Sequence, residues 1–365
     1  MSQLVIVQAV SPDYRVGLFQ CLSRLHPFVF CFGDEYFSKS VVTKPDLKKE
    51  LSYIETKNIY LFKRRAMLQI WPGMFKYIFS NSLRVVELNP RCITSWMFLI
   101  SSRVFKQGKT VVWGHLLNRA SEQKKFSARN AMLWLANGAL FYTKSQQDAF
   151  LKTKLSGRVL SGYAPNSVVS AEQVIHFKQI GTDFIYVGRL VAEKKPIKLI
   201  EGFLLACKEG LNESKLHIVG TGDQLKKIKE MIIGSDYSDR IILYGHNNNY
   251  LFLKDLYSKC VCSISPGYVG LSITQSFSFG KPMLISKDEP HAPEIEAFEP
   301  NLNGQYFITD STRDLAIKLQ SFYVSRAFWA EKSESIANQV KNNYTYESMA
   351  KGYLDLLERI SNDAE

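Results

Sequence analysis

Between Asp183 and Phe307 short apolar runs alternate with glycine-containing loops and amphipathic runs, and this alternation constrains the chain more than any other feature. Phe184-Ile185-Tyr186-Val187 leads through Gly188-Arg189-Leu190-Val191-Ala192-Glu193-Lys194-Lys195 into a run carrying Leu199, Phe203, Leu204 and Cys207. The same unit recurs from Lys215–Val219 through Gly220-Thr221-Gly222-Asp223 to Leu225, Ile228 and Ile232, and again at Arg240–Gly245. Further strands are predicted at 261–264 and 282–285. Strands alternating with helical runs predict a parallel sheet with helices on both faces. Such sheets bind ligands in the crevice outside the carboxyl ends of their strands. The ligand site is therefore expected in the loops just named.

Those loops carry groups suited to an anion. Arg189 and Lys194 stand just past a strand end, five residues apart, where two cations can converge on a diphosphate. Glycines at 220, 222, 267 and 270 let backbone N–H groups approach closely. Ser265-Pro266-Gly267-Tyr268-Val269-Gly270-Leu271-Ser272 runs into a helix predicted over 271–279, whose N-terminal amides and dipole favour phosphate.

These residues resemble the retaining glycosyltransferases of family 4, which have the two-domain GT-B fold. The likeness runs in order through Gly188-Arg189-Leu190 with Glu193-Lys194, Val219-Gly220-Thr221-Gly222, Ser265-Pro266, Gly270-Leu271, Gly280-Lys281-Pro282, Pro293-Glu294 and Asn303-Gly304. The resemblance implies that Arg189 and Lys194 hold the diphosphate of a nucleotide-sugar. It places Gly220 in the donor site, with the amides of Gly270, Leu271 and Ser272 against diphosphate and donor sugar, and it puts Glu294 near that sugar. The family usually carries two glutamates separated by seven residues in this region. Here Gly267 and Gln275 stand at those positions. Glutamine retains the ability to hydrogen-bond a ribose, whereas Gly267 offers no side chain to the donor sugar. Pro266–Leu271 and His291–Glu294 resemble a branch of bacterial surface-polysaccharide transferases.

The first half also reads as an α/β sheet, with strands at 4–10, 27–32, 83–88, 109–113, 138–142 and 158–160. After the first strand, Ser11 or Asp13 can cap a helix with Pro12 in its first turn. In GT-B enzymes this loop faces the cleft, so the resemblance makes Arg15 a candidate acceptor or donor contact, with the acceptor favoured. His115 follows Val111-Val112-Trp113-Gly114, a strand expected at a sheet edge, and matches the histidine that the family places beside the donor sugar as the catalytic candidate. Arg119 and Arg129 lie downstream as phosphate contacts or surface charge. Residues 161–168 form the expected linker. The domains are accordingly 1–163 for the acceptor, 164–340 for the nucleotide-sugar, and 341–365 for a last helix returning to the first domain.

Charge divides the two halves. The net charge is +12, and residues 1–165 hold 24 Lys and Arg against 9 Asp and Glu, leaving 22 against 25 in the remainder. The basic half suits anionic lipid, a phosphorylated acceptor or nucleic acid, but no nucleic-acid module accompanies the charge. Tyr60–Phe79 interleaves aromatics with Lys63, Arg64, Arg65 and Lys76. It reads either as a membrane-interface segment or as two helices with core aromatics, broken at Pro72-Gly73. No apolar run is long enough for a membrane span, and the first residues read as a strand rather than a signal peptide.

Six scattered cysteines suit buried thiols in a reducing compartment, and a cytoplasmic protein, peripheral on the inner membrane face, is expected. No Asp-x-Asp occurs, and no metal or other cofactor is expected, because Arg189, Lys194 and backbone amides suffice to neutralise a departing diphosphate. The resulting expectation is a metal-independent, retaining transferase. It would move a sugar from a UDP- or GDP-sugar to a hydroxyl of a glycan or lipid-linked glycan in O-antigen, capsule or lipopolysaccharide synthesis. A nucleotide-sugar binding protein without turnover and a nucleotide-sugar epimerase are the alternatives.

Overall fold

The computed structural model describes residues 3–39, 41–116 and 128–362. They form two compact units, one of residues 1–168 with 345–365 and one of residues 169–344.

The first unit begins β1 (Leu4–Gln8), α1 (Asp13–Leu25), β2 (Phe28–Phe32), β3 (Ile54–Glu55), β4 (Lys57–Leu61), β5 (Ala66–Ile70) and α2 (Met74–Ile78). It continues with β6 (Leu83–Glu87), α3 (Ile93–Val104), β7 (Lys109–Trp113), α4 (Ala128–Leu135), β8 (Gly138–Phe141), α5 (Lys144–Leu151) and β9 (Leu160–Tyr163). The second unit contains β10 (Asp183–Val187), α6 (Pro196–Lys208), β11 (Leu216–Val219), α7 (Leu225–Ile233), β12 (Ile241–Gly245), α8 (Tyr250–Lys259), β13 (Cys260–Ser265) and α9 (Ser272–Ser278). It closes with β14 (Met283–Ser286), β15 (Gly304–Phe307), α10 (Thr312–Val324) and α11 (Arg326–Asn343), after which α12 (Tyr346–Asn362) completes the first unit.

The first sheet runs β3-β2-β1-β6-β7-β8-β9 and is parallel throughout. Its inner strands are buried on both faces, as a parallel sheet between helical layers requires. Because side chains alternate along a strand, Ile6, Val85 and Val111 join one core with α1 and α12, while Val7, Val86 and Val112 join the other with α3 and α4. α12 buries Met349, Tyr353, Leu356, Leu357 and Ile360 against this sheet. At about 1.5–3 kcal/mol per large apolar side chain, that face contributes roughly 10 kcal/mol, as much as the net stability of a whole domain. The C-terminal helix is thus an integral layer of the first unit.

The second sheet runs β12-β11-β10-β13-β14-β15, the 3-2-1-4-5-6 order of a Rossmann-like half, with its switch point between β10 and β13. The first sheet reverses in the same way between β1 and β6. β15 is a sixth strand that periodicity did not reveal.

Several expectations change. The strand before His115 is interior, since β8 and β9 pair beyond β7. The expected linker at 161–168 begins inside β9, which pairs with β8 through Tyr163. α10 and α11 are separated at Ser325, where the serine hydroxyl turns back to Ser321 O at 2.7 Å. Residues 60–79 are not a helix pair. They close the antiparallel hairpin β4-β5 and then form the short α2. Polar pairing sets this choice: Asn58 faces Gln69 across the hairpin, and their amides reach Ala9 O and Gln8 O, each at 2.8 Å, at the end of β1. Arg64 is held by the Glu35 carboxylate at 2.6 Å and by the Tyr36 and Phe37 carbonyls. The six cysteines are free thiols, five of them buried.

Candidate functional site

Each sheet places a group of candidate site residues at its own switch point. In the second unit, β10 delivers Gly188–Val191 and a short turn over Ala192–Lys194, while β13 delivers Pro266–Leu271. Pro196 at the first position of α6, behind a left-handed Lys195 (φ 50°), fixes where the first loop stops.

Arg189 and Lys194 converge here on one residue. Arg189 Nη2 donates to Tyr268 Oη at 3.0 Å, and Lys194 Nζ donates to Tyr268 O at 2.7 Å while standing 3.5 Å from the centroid of its ring. Two cations that gather around one hydroxyl and one carbonyl can equally gather around phosphoryl oxygens. Sequence reasoning did not single out Tyr268. Its only sequence signal is its position between two glycines.

The glycines explain the tightness of these loops. A Cβ on Gly220 would lie 1.8 Å from Gly188 O, and Gly220 N–H donates to Gly245 O at 2.7 Å, so three loops meet through backbone alone. A Cβ on Gly267 would meet Glu193 O at 2.4 Å and the Lys194 Cα at 2.9 Å. The position where the family usually carries a glutamate is therefore closed to any side chain in this arrangement. Gly270 differs, its nearest neighbour on the Cβ side being Ala292 Cβ at 3.9 Å.

The helix expected over 271–279 is the seven-residue α9, with Leu271 as its N-cap. The amides of Ile273 and Gln275 are used within it, bonding Gly270 O and Leu271 O at 3.1 Å each. Gln275 and Ser272 are half-buried on its first turns. His291 secures the loop from behind: its Nδ1 accepts Val269 N–H at 3.1 Å, and Ala292 N–H returns to Val269 O at 2.9 Å. Burial lowers the His291 pKa, which keeps the ring neutral and Nδ1 able to accept. Glu294, at the start of a 3-10 turn over Pro293–Ala297, is buried.

The first unit brings Arg15 and His115 together. Both line a cavity of about 620 Å³ at the β1/β6 switch point, with Glu87, Trp113, Arg129 and Tyr142. Arg15 sits on the first turn of α1, more than nine-tenths buried, its Cζ 4.6 Å from the Trp113 ring and 5.0 Å from that of Tyr142. Neither Ser11 nor Asp13 caps α1 through its side chain; Pro12 is the N-cap, and Arg15 N–H bonds Pro12 O at 2.8 Å. His115 packs on Tyr142 with centroids 4.5 Å apart. Arg129, whose burial lowers its pKa, donates to His115 O. Glu87 accepts Ala9 N–H at 2.7 Å, and burial pushes its carboxyl up. Trp113, Tyr142 and Glu87 escaped the sequence reading because nothing local distinguishes them from core residues. Arg119 lies outside the described residues.

One surface of the first unit is apolar. Phe75, Phe79, Val104 and Phe105 are 61%, 50%, 62% and 58% exposed, with Phe79 stacked toward Phe75 and edge-on to Phe105. Lys76, Arg103 and Lys106 alternate with them in sequence. Among the described residues no helix is long and apolar enough to cross a membrane.

Residues 172–343, nearly the whole second unit, match the family model described as glycosyl transferases group 1. No curated protein matches the chain. Among solved structures, Anabaena HepE in complex with UDP is similar with a TM-score of 0.70 and 14% identity, over 98% of this chain and 100% of that one. A glycosyltransferase from Rickettsia africae reaches 0.71 at 13% identity, covering 99% of each. The lipopolysaccharide outer core galactosyltransferase WaaB, in its apo form, reaches 0.66 at 17% identity, over 98% of this chain and 99% of that one. At such identities the likeness establishes the fold, the GT-B architecture of two Rossmann-like halves.

Proposed function

We propose that the protein is a retaining glycosyltransferase of family 4 that moves a sugar from a nucleoside diphosphate sugar to a hydroxyl of a glycan or lipid-linked glycan. The observation that carries this reading is the convergence of Arg189 and Lys194 on Tyr268 at the switch point of the unit that matches the group 1 family model. Departure of a nucleoside diphosphate concentrates negative charge on the leaving oxygens. Fixed cations stabilise that charge without reorganising at the moment of reaction. Gly220, Gly270, Leu271 and Ser272 would bring backbone to the same group, Gln275 would meet the ribose and Glu294 the donor sugar. On this reading the two side-chain cations replace a metal.

UDP is the favoured nucleotide, because HepE is described in complexes with UDP and with UDP-glucose. Surface-polysaccharide synthesis is the favoured setting, supported by the name of the lipopolysaccharide galactosyltransferase. The apolar patch around Phe75, Phe79 and Phe105 with its basic neighbours supports peripheral contact with anionic lipid at the cytoplasmic face. His115 is the histidine proposed to meet the donor or orient the accepting hydroxyl.

Gly267 favours one rival, a protein that binds nucleotide-sugar without turnover. A thermal-shift screen of UDP, GDP, ADP and CMP with their sugar conjugates, followed by assay of donor hydrolysis, separates the two. A ligand that binds only the folded state raises the melting temperature by mass action. A shift with UDP unchanged by chelator, together with slow donor hydrolysis, is expected. A shift without any turnover would establish the rival, and no shift at all would remove both.

A further inference from the structure

The cavity of the first unit has a charge character that bears on the second substrate. Among the described residues Arg15, Arg91 and Arg129 line it together with His115, against one carboxyl, Glu87. That carboxyl is engaged by Ala9 N–H at 2.7 Å and by the Cys92 thiol at 3.5 Å. Burial raises its pKa, opposed by the hydrogen bonds from Ala9, Cys92 and Asn89 and by the charge of Arg15.

The cations are held in place by neighbouring groups, Arg15 by the Met349 sulfur at 3.6 Å and Arg129 by the His115 carbonyl. Aromatic faces of Trp113 and Tyr142 fix the plane of the Arg15 guanidinium without cancelling its charge. Arg91 is oriented by the Arg65 carbonyl at 3.1 Å, by the Arg64 carbonyl, and by the Phe37 ring 3.7 Å away. His115 is set as a donor by its neighbour. Gln146 Oε1 accepts Leu116 N–H at 3.3 Å, which turns the Gln146 amide nitrogen toward His115 Nδ1, also at 3.3 Å. Nδ1 then accepts, and the proton resides on Nε2. A wall with three guanidiniums and one imidazole N–H against one carboxyl, on an aromatic floor, suits a ligand with an apolar ring face and an oxyanion.

We infer that this cavity binds an oxyanion carried by the acceptor, a phosphoryl or carboxylate group, so that the acceptor class is acidic rather than neutral. Identifying the bearer of the anion as the acceptor rests on the transferase reading above. A phosphoryl group would come from a phosphate-linked carrier, and a carboxylate from an acidic sugar.

The test is titration calorimetry on the full chain carrying Arg189→Ala and Lys194→Ala, so that anions cannot report from the nucleotide loops. Glucose 1-phosphate, glucuronate and glucose are the probes, and UDP is titrated separately into the unaltered protein. Glucose 1-phosphate or glucuronate is expected to bind at least tenfold tighter than glucose, and whichever is tighter identifies the source. Arg15→Gln and Arg91→Gln should each weaken that binding about tenfold or more, the scale for a lost charge-assisted hydrogen bond. Arg91 is exposed, so its variant reads binding even where Arg15→Gln fails to fold. Glucose binding as tightly as its anionic partners, no binding of any probe, or undiminished binding in the folded variants would each overturn the inference. UDP binding alongside any of these outcomes would leave the transferase reading standing. Anion binding without UDP binding would retain the cavity and remove the donor site.

Discussion

The two switch points occupy equivalent positions in two parallel sheets and are built from different materials. In the second unit the loops after β10, β11 and β13 meet through backbone: Gly220 against Gly188, Gly267 against Glu193 and Lys194. Two of the cations they carry, Arg189 and Lys194, turn to one tyrosine, while Lys195 pairs with Glu289 and Asp310. In the first unit the cavity is walled by side chains from α1, β6, β7, α4 and the residues beyond β8, with Arg15 resting on aromatic rings. A backbone-built site suits a chemical group common to many ligands, such as a diphosphate. A side-chain-built site can change its specificity without changing the loops. On the proposed reading, the generic part of recognition falls to one half and the particular part to the other.

The largest expected effect tests the generic half. Arg189→Ala and Lys194→Ala should each lower turnover of the donor on the order of a hundredfold, the scale for losing one preorganised charge-stabilising donor. Steady-state kinetics with the nucleotide-sugar that passes the binding screen measures this. Full activity in both variants would mean that backbone alone holds the diphosphate, and the comparison would lose its two cations.

The next test asks whether backbone closeness itself matters, and it uses two glycines of one loop. Gly267→Ala places a methyl 2.4 Å from Glu193 O, and the obstacle is main chain rather than a flexible side chain. Overpacking of this kind costs about 1–3 kcal/mol. At about 2–4 °C per kcal/mol for a unit of this size, differential scanning calorimetry should show the melting temperature falling by several degrees. Gly270→Ala meets nothing closer than 3.9 Å, so the fold should be unaffected and only nucleotide binding should weaken. Equal behaviour of the two variants would break the claim that the loop is fixed by close approach at Gly267.

The same contrast explains what the sequence disclosed. Gly188, Arg189, Lys194, Gly220 and Gly270 are close along the chain to the strand ends that position them, so the β-loop-α pattern located them as a group. Tyr268 was in plain view but looked like loop filling, because its role depends on two cations about 75 residues upstream. In the first unit, Arg15 and His115 could be singled out, yet their meeting through Tyr142 joins residues far apart in the chain. Trp113 and Tyr142 read as ordinary core aromatics. The hairpin at 57–70 was missed for a related reason: its aromatics and cations suggested amphipathic helix. Asn58 and Gln69, which bind it to the end of β1, carry no hydrophobic signal.

The smallest expected effect is the finest probe of the comparison, because it removes one oxygen. Tyr268→Phe deletes the hydroxyl that accepts from Arg189 at 3.0 Å and leaves the carbonyl and ring that engage Lys194. The bond is exposed and links a cation to a neutral acceptor, so its net contribution is about 1 kcal/mol. If that hydroxyl occupies the place of a phosphoryl oxygen, its loss frees Arg189 and UDP should bind a few-fold tighter, as calorimetry would show. If UDP instead binds a few-fold weaker, the hydroxyl contacts the ligand directly. A side chain would then contribute to recognition in the half assigned here to backbone and cations, and the division of labour between the two units would be less sharp.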